Sequence, residues 1–74
     1  MEYERPFDAI NASKNKRVLL ELKHKRQITG ILKSFDTHIN IVLDEAEERE
    51  DGTLIRKLGT VFIRGDTIIL ISPA

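Results

Sequence analysis

Apolar and polar residues alternate along much of the chain, with the period of two that is typical of β-strands. The first such segment, 17–24, predicts a half-buried strand whose apolar side chains share one face: Val18, Leu20 and Leu22. A second strand is predicted over 27–35. The glycine in its middle, Gly30, indicates a sharp bend or a close backbone approach of the kind that a barrel corner requires.

A third strand is expected to begin after Asp36, with three apolar side chains directed into the core: Ile39, Ile41 and Leu43. It is expected to continue through 44–50, although the composition of this acidic run alone favours a helix. The pair Asp51-Gly52 is a strong hairpin signal, so the chain should return with strand character over 53–58, and Val61 and Ile63 alternate with Phe62 further along.

The last strand is predicted from the unbroken apolar run 68–71, which indicates burial on both faces. In so small a domain, one of these two faces would be covered by a neighbouring subunit, whose fourth strand would pair with the last strand at the edge of the sheet. At the other end of the chain, 5–13 predicts a short helix, because Pro6 suits a first helical turn and Asp8 lies near the positive end of the helix dipole. The predicted fold is mostly β: a short N-terminal α-helix followed by a strongly bent, five-stranded antiparallel small barrel.

Length and composition limit the class of protein. The 74 residues are expected to form a single domain, 1–74, with a thin core and no cysteine to staple it. Small domains of this kind often gain stability by assembling. No apolar run approaches the roughly 18 residues of a membrane span, and the N-terminus does not resemble a signal peptide. We therefore expect a soluble, cytoplasmic protein with no membrane partner.

The charges cancel overall but are segregated along the chain. Twelve basic residues match twelve acidic ones. Residues 1–43 carry eight Lys/Arg against five Asp/Glu, however, and residues 44–74 carry four against seven. Binding to nucleic acid would therefore depend on a local basic patch rather than on bulk charge.

The polar residues Asp36, His38 and Asn40 occupy alternate positions just before the third apolar run. An imidazole ring can stack on a nucleobase, and an amide can both donate and accept hydrogen bonds. These three side chains could therefore form a rim that reads a base. A metal site is not indicated, because His24 and His38 have no further ligands near them in the sequence.

Two longer stretches resemble known motifs. Residues 17–23, 30–32 and 35–43 resemble the first Sm motif, and 58–66 resembles the second. Together with the segment 4–8, they make the chain similar to the archaeal Sm-like (LSm) proteins of the Sm/Lsm family, whose Sm fold is an SH3-like barrel. The resemblance divides the chain into a helix at about 5–13, a first motif at about 17–45, a variable hairpin at about 46–55 and a second motif at about 58–73. One position departs from the family, which commonly has glycine where this chain has Lys25.

The resemblance implies a homo-oligomeric ring, usually of seven subunits, that binds single-stranded uridine-rich RNA at a central pore. It also implies an RNA-binding pocket of six residues: His38, Asn40, Arg64, Asp36, Gly65 and Asp66. By this resemblance a uracil lies between His38 and Arg64, and Asn40 binds its Watson–Crick edge. Asparagine offers one donor and one acceptor to that edge, whereas cytosine would leave a group unpaired. Neither a cofactor nor catalysis is implied, and the cellular role would be RNA processing or ribonucleoprotein assembly, with other RNA-processing proteins as further partners.

Several alternatives stay open at this stage. The ring could be a protein-binding scaffold with incidental RNA affinity, or the chain could be a nuclease that uses Asp36 and the acidic run. A monomeric OB or cold-shock module is the alternative fold. Arg5, Asp8 and Phe35 could form a second RNA contact on the helix-bearing face, although the simpler interpretation, that the helix only packs on its barrel, is favoured. The sequence does not fix whether six, seven or eight subunits close the ring.

Overall fold

The structure, a computed structural model, describes residues 4–73. One helix, α1, precedes five strands, β1 to β5, and short 3₁₀ turns lie at Lys23–Lys25 and Gly65–Thr67. The elements are α1 (Pro6–Ala12), β1 (Arg17–Leu22), β2 (Arg26–Phe35), β3 (Ile41–Glu50), β4 (Thr53–Ile63) and β5 (Ile68–Pro73). The strands form one antiparallel sheet in the order β4-β3-β2-β1-β5. The predicted fold is confirmed, and β4 and β5 are its two edges.

The core lies inside the curve of this sheet and is entirely apolar. Over residues 4–73, the nine buried hydrophobic side chains are those of Val18, Leu20, Leu22, Ile28, Leu32, Ile41, Leu43, Ala46 and Ile63. Gly30 is buried where β2 crosses β3, and a Cβ added there would lie 3.0 Å from the carbonyl oxygen of Asp44 and 3.1 Å from Cβ of Leu43. The predicted close approach at this glycine is therefore confirmed, and it allows β2 to bend across its neighbour.

The predicted start of the third strand is wrong. β3 begins at Ile41, and the chain from Asp36 to Asn40 is a turn. The reason is that the carboxylate of Asp36 accepts hydrogen bonds from the backbone N–H groups of His38 and Asn40, which competes with an extended ladder. Ile39 adopts a left-handed backbone (φ 61°) and packs against the core from this loop rather than from a strand.

The acidic run lies in β3, as predicted, and ends in a hairpin. Asp51 and Gly52 both have positive φ, 50° and 81°, which is the geometry of a type I′ turn. Cross-strand pairs explain why a helix-favouring composition is extended here: Glu48 accepts from Arg26 on β2 at 2.9 Å and from Arg56 on β4 at 2.8 Å. Tertiary contacts thus override local propensity.

Two further sequence features have clear structural counterparts. Lys25, which replaces the family's usual glycine, has a φ of 62°, so the departure leaves the left-handed turn in place. On β5, Ile68 and Ile71 pack against the core, whereas Ile69 is 65% exposed and Leu70 is 49% exposed. One face of this apolar strand is therefore open in the single chain.

Candidate nucleic-acid interface

The loop 36–40 is shaped by one carboxylate. Oδ1 of Asp36 accepts from the backbone N–H of His38 at 2.9 Å and from that of Asn40 at 3.1 Å. The backbone closes the same turn, because the N–H of Ile39 donates to the carbonyl of Asp36 at 3.0 Å. The loop is therefore preorganised by its own sequence and holds His38 at an exposed position.

The side chain of Asn40 joins this loop to the β4–β5 connection. Its Nδ2 donates to Oδ2 of Asp36 at 3.0 Å, and its Oδ1 accepts from the backbone N–H of Gly65 at 2.8 Å. A carboxylate can only accept and a backbone N–H can only donate, so these two bonds fix which way the amide faces. Half of its capacity, one N–H and one oxygen lone pair, is left over.

Gly65 is required by the close packing of the two loops. A Cβ at this position would overlap the carbonyl oxygen of His38 and lie 2.8 Å from the carbonyl carbon of Ile39. Both obstacles are backbone atoms, which cannot rotate away as a flexible side chain could. Any larger residue would therefore push the two loops apart.

Arg64 stands beside this contact on the second loop. Its guanidinium Nη2 donates to Oδ2 of Asp66 at 3.1 Å, and its side chain is 81% exposed. Thr67 holds the backbone below it, because its Oγ1 and its N–H both donate to the carbonyl of Arg64, at 2.7 and 3.0 Å. The guanidinium plane is thus exposed, and the backbone that carries the side chain is fixed.

These elements enclose an open cavity of about 450 Å³ that is lined by His38, Asn40, Arg64, Gly65 and Asp66. Five of the six residues predicted for the main site thus lie together. The sixth, Asp36, does not line this cavity; it lines an adjacent one with Asn40 and Arg64. Asp36 therefore sits where it can support the loop and orient Asn40.

The hydrogen bonds also change the acidity of the loop. Those donated by the side chain and then the backbone of Asn40 hold the pKa of Asp36 below its usual value, and the backbone N–H of His38 adds to the effect. The carboxylate therefore stays ionised, and able to accept all three bonds, to a lower pH than it would without them.

The second predicted group is only partly brought together. Arg5 and Asp8 form an ion pair on α1 at 3.1 Å, and the ring of Phe35 is half-buried with that of Phe7 at its edge, 5.3 Å away and inclined by 65°. The helix thus packs on the barrel through Phe7, and the second RNA contact remains a prediction.

Sequence reasoning missed two residues at the site. Thr67 fixes the turn that carries Arg64, and the preference of threonine for such turns was an available signal. Phe62 is 83% exposed on the edge strand β4 and lines the cavity next to the main one. The signal for Phe62 was weak, because alternation alone did not show which face of β4 would be exposed.

Residues 4–73 offer neither a metal-ion cluster nor a membrane-spanning helix. No cluster of three or more His, Cys, Asp or Glu side chains suited to a metal ion occurs in this part of the chain. Within the same range, α1 is far too short to cross a membrane, and no other helix is long and apolar enough to do so.

A small, open antiparallel barrel in which two loops meet at a polar cavity is the architecture of an Sm-type domain. The LSM domain family matches residues 8–73 of the chain. The chain therefore belongs to the LSM family.

Individual relatives agree with this assignment. The chain is 48% identical over 69 residues to a Methanococcoides burtonii protein described as snRNP Sm-like, covering 93% of this chain and 96% of that protein. The structure of this chain is similar to that of a Pyrococcus abyssi Sm protein in complex with a uridine heptamer. The TM-score is 0.91, and the two are 42% identical over 96% of this chain and all of that one. A heptameric archaeal Sm protein gives a TM-score of 0.83 and 42% identity, covering 89% of this chain and 96% of its own.

Proposed function

We propose that this chain forms a closed ring, most simply a heptamer, that binds single-stranded uridine-rich RNA with one pocket per subunit around a central pore. The observation that carries the proposal is the amide of Asn40, which is bonded on both sides and still has one donor and one acceptor free. The similar Pyrococcus abyssi protein, solved with a uridine heptamer, and the similar heptameric protein support it.

Affinity in this proposal comes from stacking. His38 and Arg64 line the same cavity, and an imidazole ring and a guanidinium plane can each stack on a base. Gly65 and Asp66 close the cavity, and Asp66 also holds the guanidinium. Each base stack is worth about 1–3 kcal/mol, so a single site is weak. Repetition around a ring makes successive binding events intramolecular and raises the overall affinity.

Specificity comes from the fixed orientation of Asn40. Uracil presents a donor at N3 beside an acceptor at O4, and cytosine presents the reverse order. A freely rotating amide could flip to suit either base. Here a flip would place Nδ2 against the N–H of Gly65 and Oδ1 against the carboxylate of Asp36, leaving each unpaired. The anchored amide therefore selects uracil.

Ring formation is supported by the two open edges of the sheet. β4 and β5 lie at opposite ends of the strand order, and each carries exposed apolar side chains: Phe62 on β4, and Ile69 and Leu70 on β5. Unpaired edges recruit strands from other chains. Head-to-tail pairing of β4 with the β5 of a neighbour, repeated until it closes, gives a ring and covers these side chains.

Native mass spectrometry with and without oligouridine tests the proposal as a whole. The expected result is a single ring species that takes up oligouridine in a fixed ratio and releases it uncleaved after incubation with a divalent metal ion. A monomer at micromolar concentration would refute ring formation. Cleavage that is lost in an Asp36→Ala variant would replace binding by catalysis.

The origin of specificity is tested separately with Asp36→Ala. Removing the carboxylate frees the amide of Asn40 to flip, so the preference for oligouridine over oligocytidine should fall by about tenfold, the equivalent of one hydrogen bond. Competition binding measures the ratio, and Asp44→Ala, which removes a carboxylate bonded to Thr60 instead, is the matched control. An unchanged ratio would show that the anchor does not set the base preference.

The cellular role follows from this chemistry. A ring that holds uridine-rich single strands without cutting them is suited to RNA processing or ribonucleoprotein assembly, in company with other RNA-processing proteins. The description of the Methanococcoides burtonii relative as snRNP Sm-like supports this role.

A further inference from the structure

A tight turn between α1 and β1, residues 13–16, presents exposed polar groups beside β2. Asn15 adopts a left-handed backbone, with a φ of 66°, and its N–H donates to the carbonyl of Leu32 on β2 at 2.6 Å. The next residue, Lys16, accepts from the N–H of Leu32 at 2.9 Å. The turn 13–16 is therefore fixed to β2 through the backbone.

Three lysines surround this turn. Lys14 and Lys16 flank Asn15 in sequence, and Nζ of Lys33 donates to Oδ1 of Asn15 at 3.0 Å. Lys14, Lys16 and Lys33 are all exposed. We refer to these three lysines and Asn15 as the lysine turn.

The charges of the lysine turn are not neutralised within the described residues. Over 4–73, each of the six arginines lies within 4.0 Å of a carboxylate, whereas none of the six lysines does. Half of those lysines meet at this one turn. A chain with no net charge thus carries a local concentration of uncompensated positive charge.

β2 leads from the lysine turn to the proposed RNA site. Lys33 precedes Asp36, where the loop 36–40 begins, by three residues, or roughly 10 Å of extended strand. α1 lies against the same end of β2, because Phe7 contacts Phe35. A strand of RNA that leaves the pocket on this side would meet the lysine turn within a few nucleotides.

We propose that the lysine turn binds the phosphate backbone of RNA that extends beyond the base pocket. This rests on the proposed function, and it assigns to Lys14, Lys16 and Lys33 a contact that ignores base identity. Flexible ammonium groups act as point charges and suit a backbone whose phosphates vary in position. The four residues include no apolar side chain that could anchor a folded protein, which favours a phosphate chain as the occupant.

The test compares two RNA probes. One is a uridine heptamer, and the other is the same heptamer flanked on both sides by abasic nucleotides, which add phosphates without bases. Binding of both is measured over a range of salt concentrations. The subject is the triple variant Lys14→Gln/Lys16→Gln/Lys33→Gln, and the matched control is Lys23→Gln/Lys25→Gln/Lys57→Gln. The control removes the same charge, and Lys23 and Lys25 lie at the opposite end of β1, roughly 20 Å away.

We expect the unmodified protein and the control to bind the flanked probe more tightly than the heptamer. The triple variant should bind the heptamer as before and lose the gain from the flanks. Its salt dependence for the flanked probe should weaken by about 2 in log–log slope, at about 0.7 for each phosphate contact to a single strand.

Three outcomes would overturn the inference: no gain from the flanks in the unmodified protein, a full gain in the triple variant, or an equal loss in the control. A different result would assign the turn to an acidic protein instead: the unmodified protein binds a labelled polyglutamate peptide, the triple variant does not, and both bind the flanked probe equally. Failure of the unmodified protein to bind the heptamer at all would be different, since that result refutes the proposed function.

Discussion

The paired loops 36–40 and 64–67 differ from the β3–β4 hairpin in how they use their polar groups. In the hairpin, charged side chains satisfy one another: Glu48 binds two arginines, and Arg49 binds Glu47 at 2.8 Å and the carbonyl of Gly52 at 3.1 Å. In the loops, Asp36 and Asn40 satisfy backbone N–H groups and each other. The hairpin is richer in charge, yet it is the loops that line the cavity of about 450 Å³.

Unspent hydrogen-bonding capacity, rather than charge density, therefore distinguishes the loops of the proposed RNA site from the hairpin. A hairpin of matched ion pairs has little left to offer a ligand, and exposed pairs of this kind contribute only about 0–1 kcal/mol each to stability. The loops use two side chains to fix the backbone, which leaves the ring of His38, the plane of Arg64 and half of the amide of Asn40 for a partner.

The largest difference between the loops and the hairpin is expected when one methyl group is added to each region. Gly65→Ala should force the loops apart, lower the free energy of unfolding by about 1–3 kcal/mol as overpacking does, and abolish oligouridine binding. Gly52→Ala in the hairpin meets no atom within 4 Å and strains only a backbone with a φ of 81°, so it should leave binding unchanged. Thermal unfolding and fluorescence anisotropy measure the two effects, and normal binding by Gly65→Ala would contradict the close packing of the loops.

A smaller effect is expected from removing one arginine in each region. Arg64→Ala loses a stacking plane, which is worth about 1–3 kcal/mol or 5–150-fold in affinity at each site. Arg56→Ala loses only one of the two partners of Glu48 and should bind oligouridine normally. Both variants should keep the oligomeric state of the parent protein in light scattering. Unchanged RNA binding by Arg64→Ala would favour the protein-binding scaffold.

The smallest effect is expected from acid. Hydrogen bonds hold the pKa of Asp36 below its usual value through Asn40, and the pKa of Glu48 is lowered by Arg56 and then Arg26. For such groups the folded state binds fewer protons than the unfolded state, so their contribution to stability is present at neutral pH and is lost as the pH falls through the depressed values.

Thermal unfolding between neutral pH and about pH 2 checks this expectation, since unperturbed carboxyl groups titrate near pH 4. The difference in unfolding temperature between the parent protein and Asp36→Asn should be greatest at neutral pH and should vanish in acid. Glu48→Gln should behave alike in unfolding but, unlike Asp36→Asn, should not alter oligouridine binding at neutral pH. A difference in stability between the parent protein and Asp36→Asn that grows in acid would contradict the expected direction of this pH dependence.

The strands were predictable because their causes are local. Alternation placed Val18, Leu20 and Leu22 correctly in the core, and Asp51-Gly52 marked its hairpin. Alternation also placed Ile39 correctly against the core but assigned it to a strand. That assignment failed because the carboxylate of Asp36 bonds back to the backbone and competes with the extended chain, which the hydrophobic pattern does not reveal.

The site was less accessible to local reasoning. Alternation suggested a rim of Asp36, His38 and Asn40, but the contact with Gly65 lies 25 residues away and entered only through the resemblance to the Sm motifs. The anchored state of the amide depends on two distances that no sequence pattern encodes. The roles of these residues in RNA binding remain predictions that the substitutions above can test.

The bond between Asn40 and Gly65 also has a consequence for the order of events during synthesis. Until residue 65 has left the ribosome and the β3–β4 hairpin has formed, the amide has only one of its two anchors. A partly made chain holds the first loop and its histidine but has neither the guanidinium of Arg64 nor the second anchor of the amide. Under the proposed function, a chain therefore becomes competent to bind RNA only when folding has brought its two halves together.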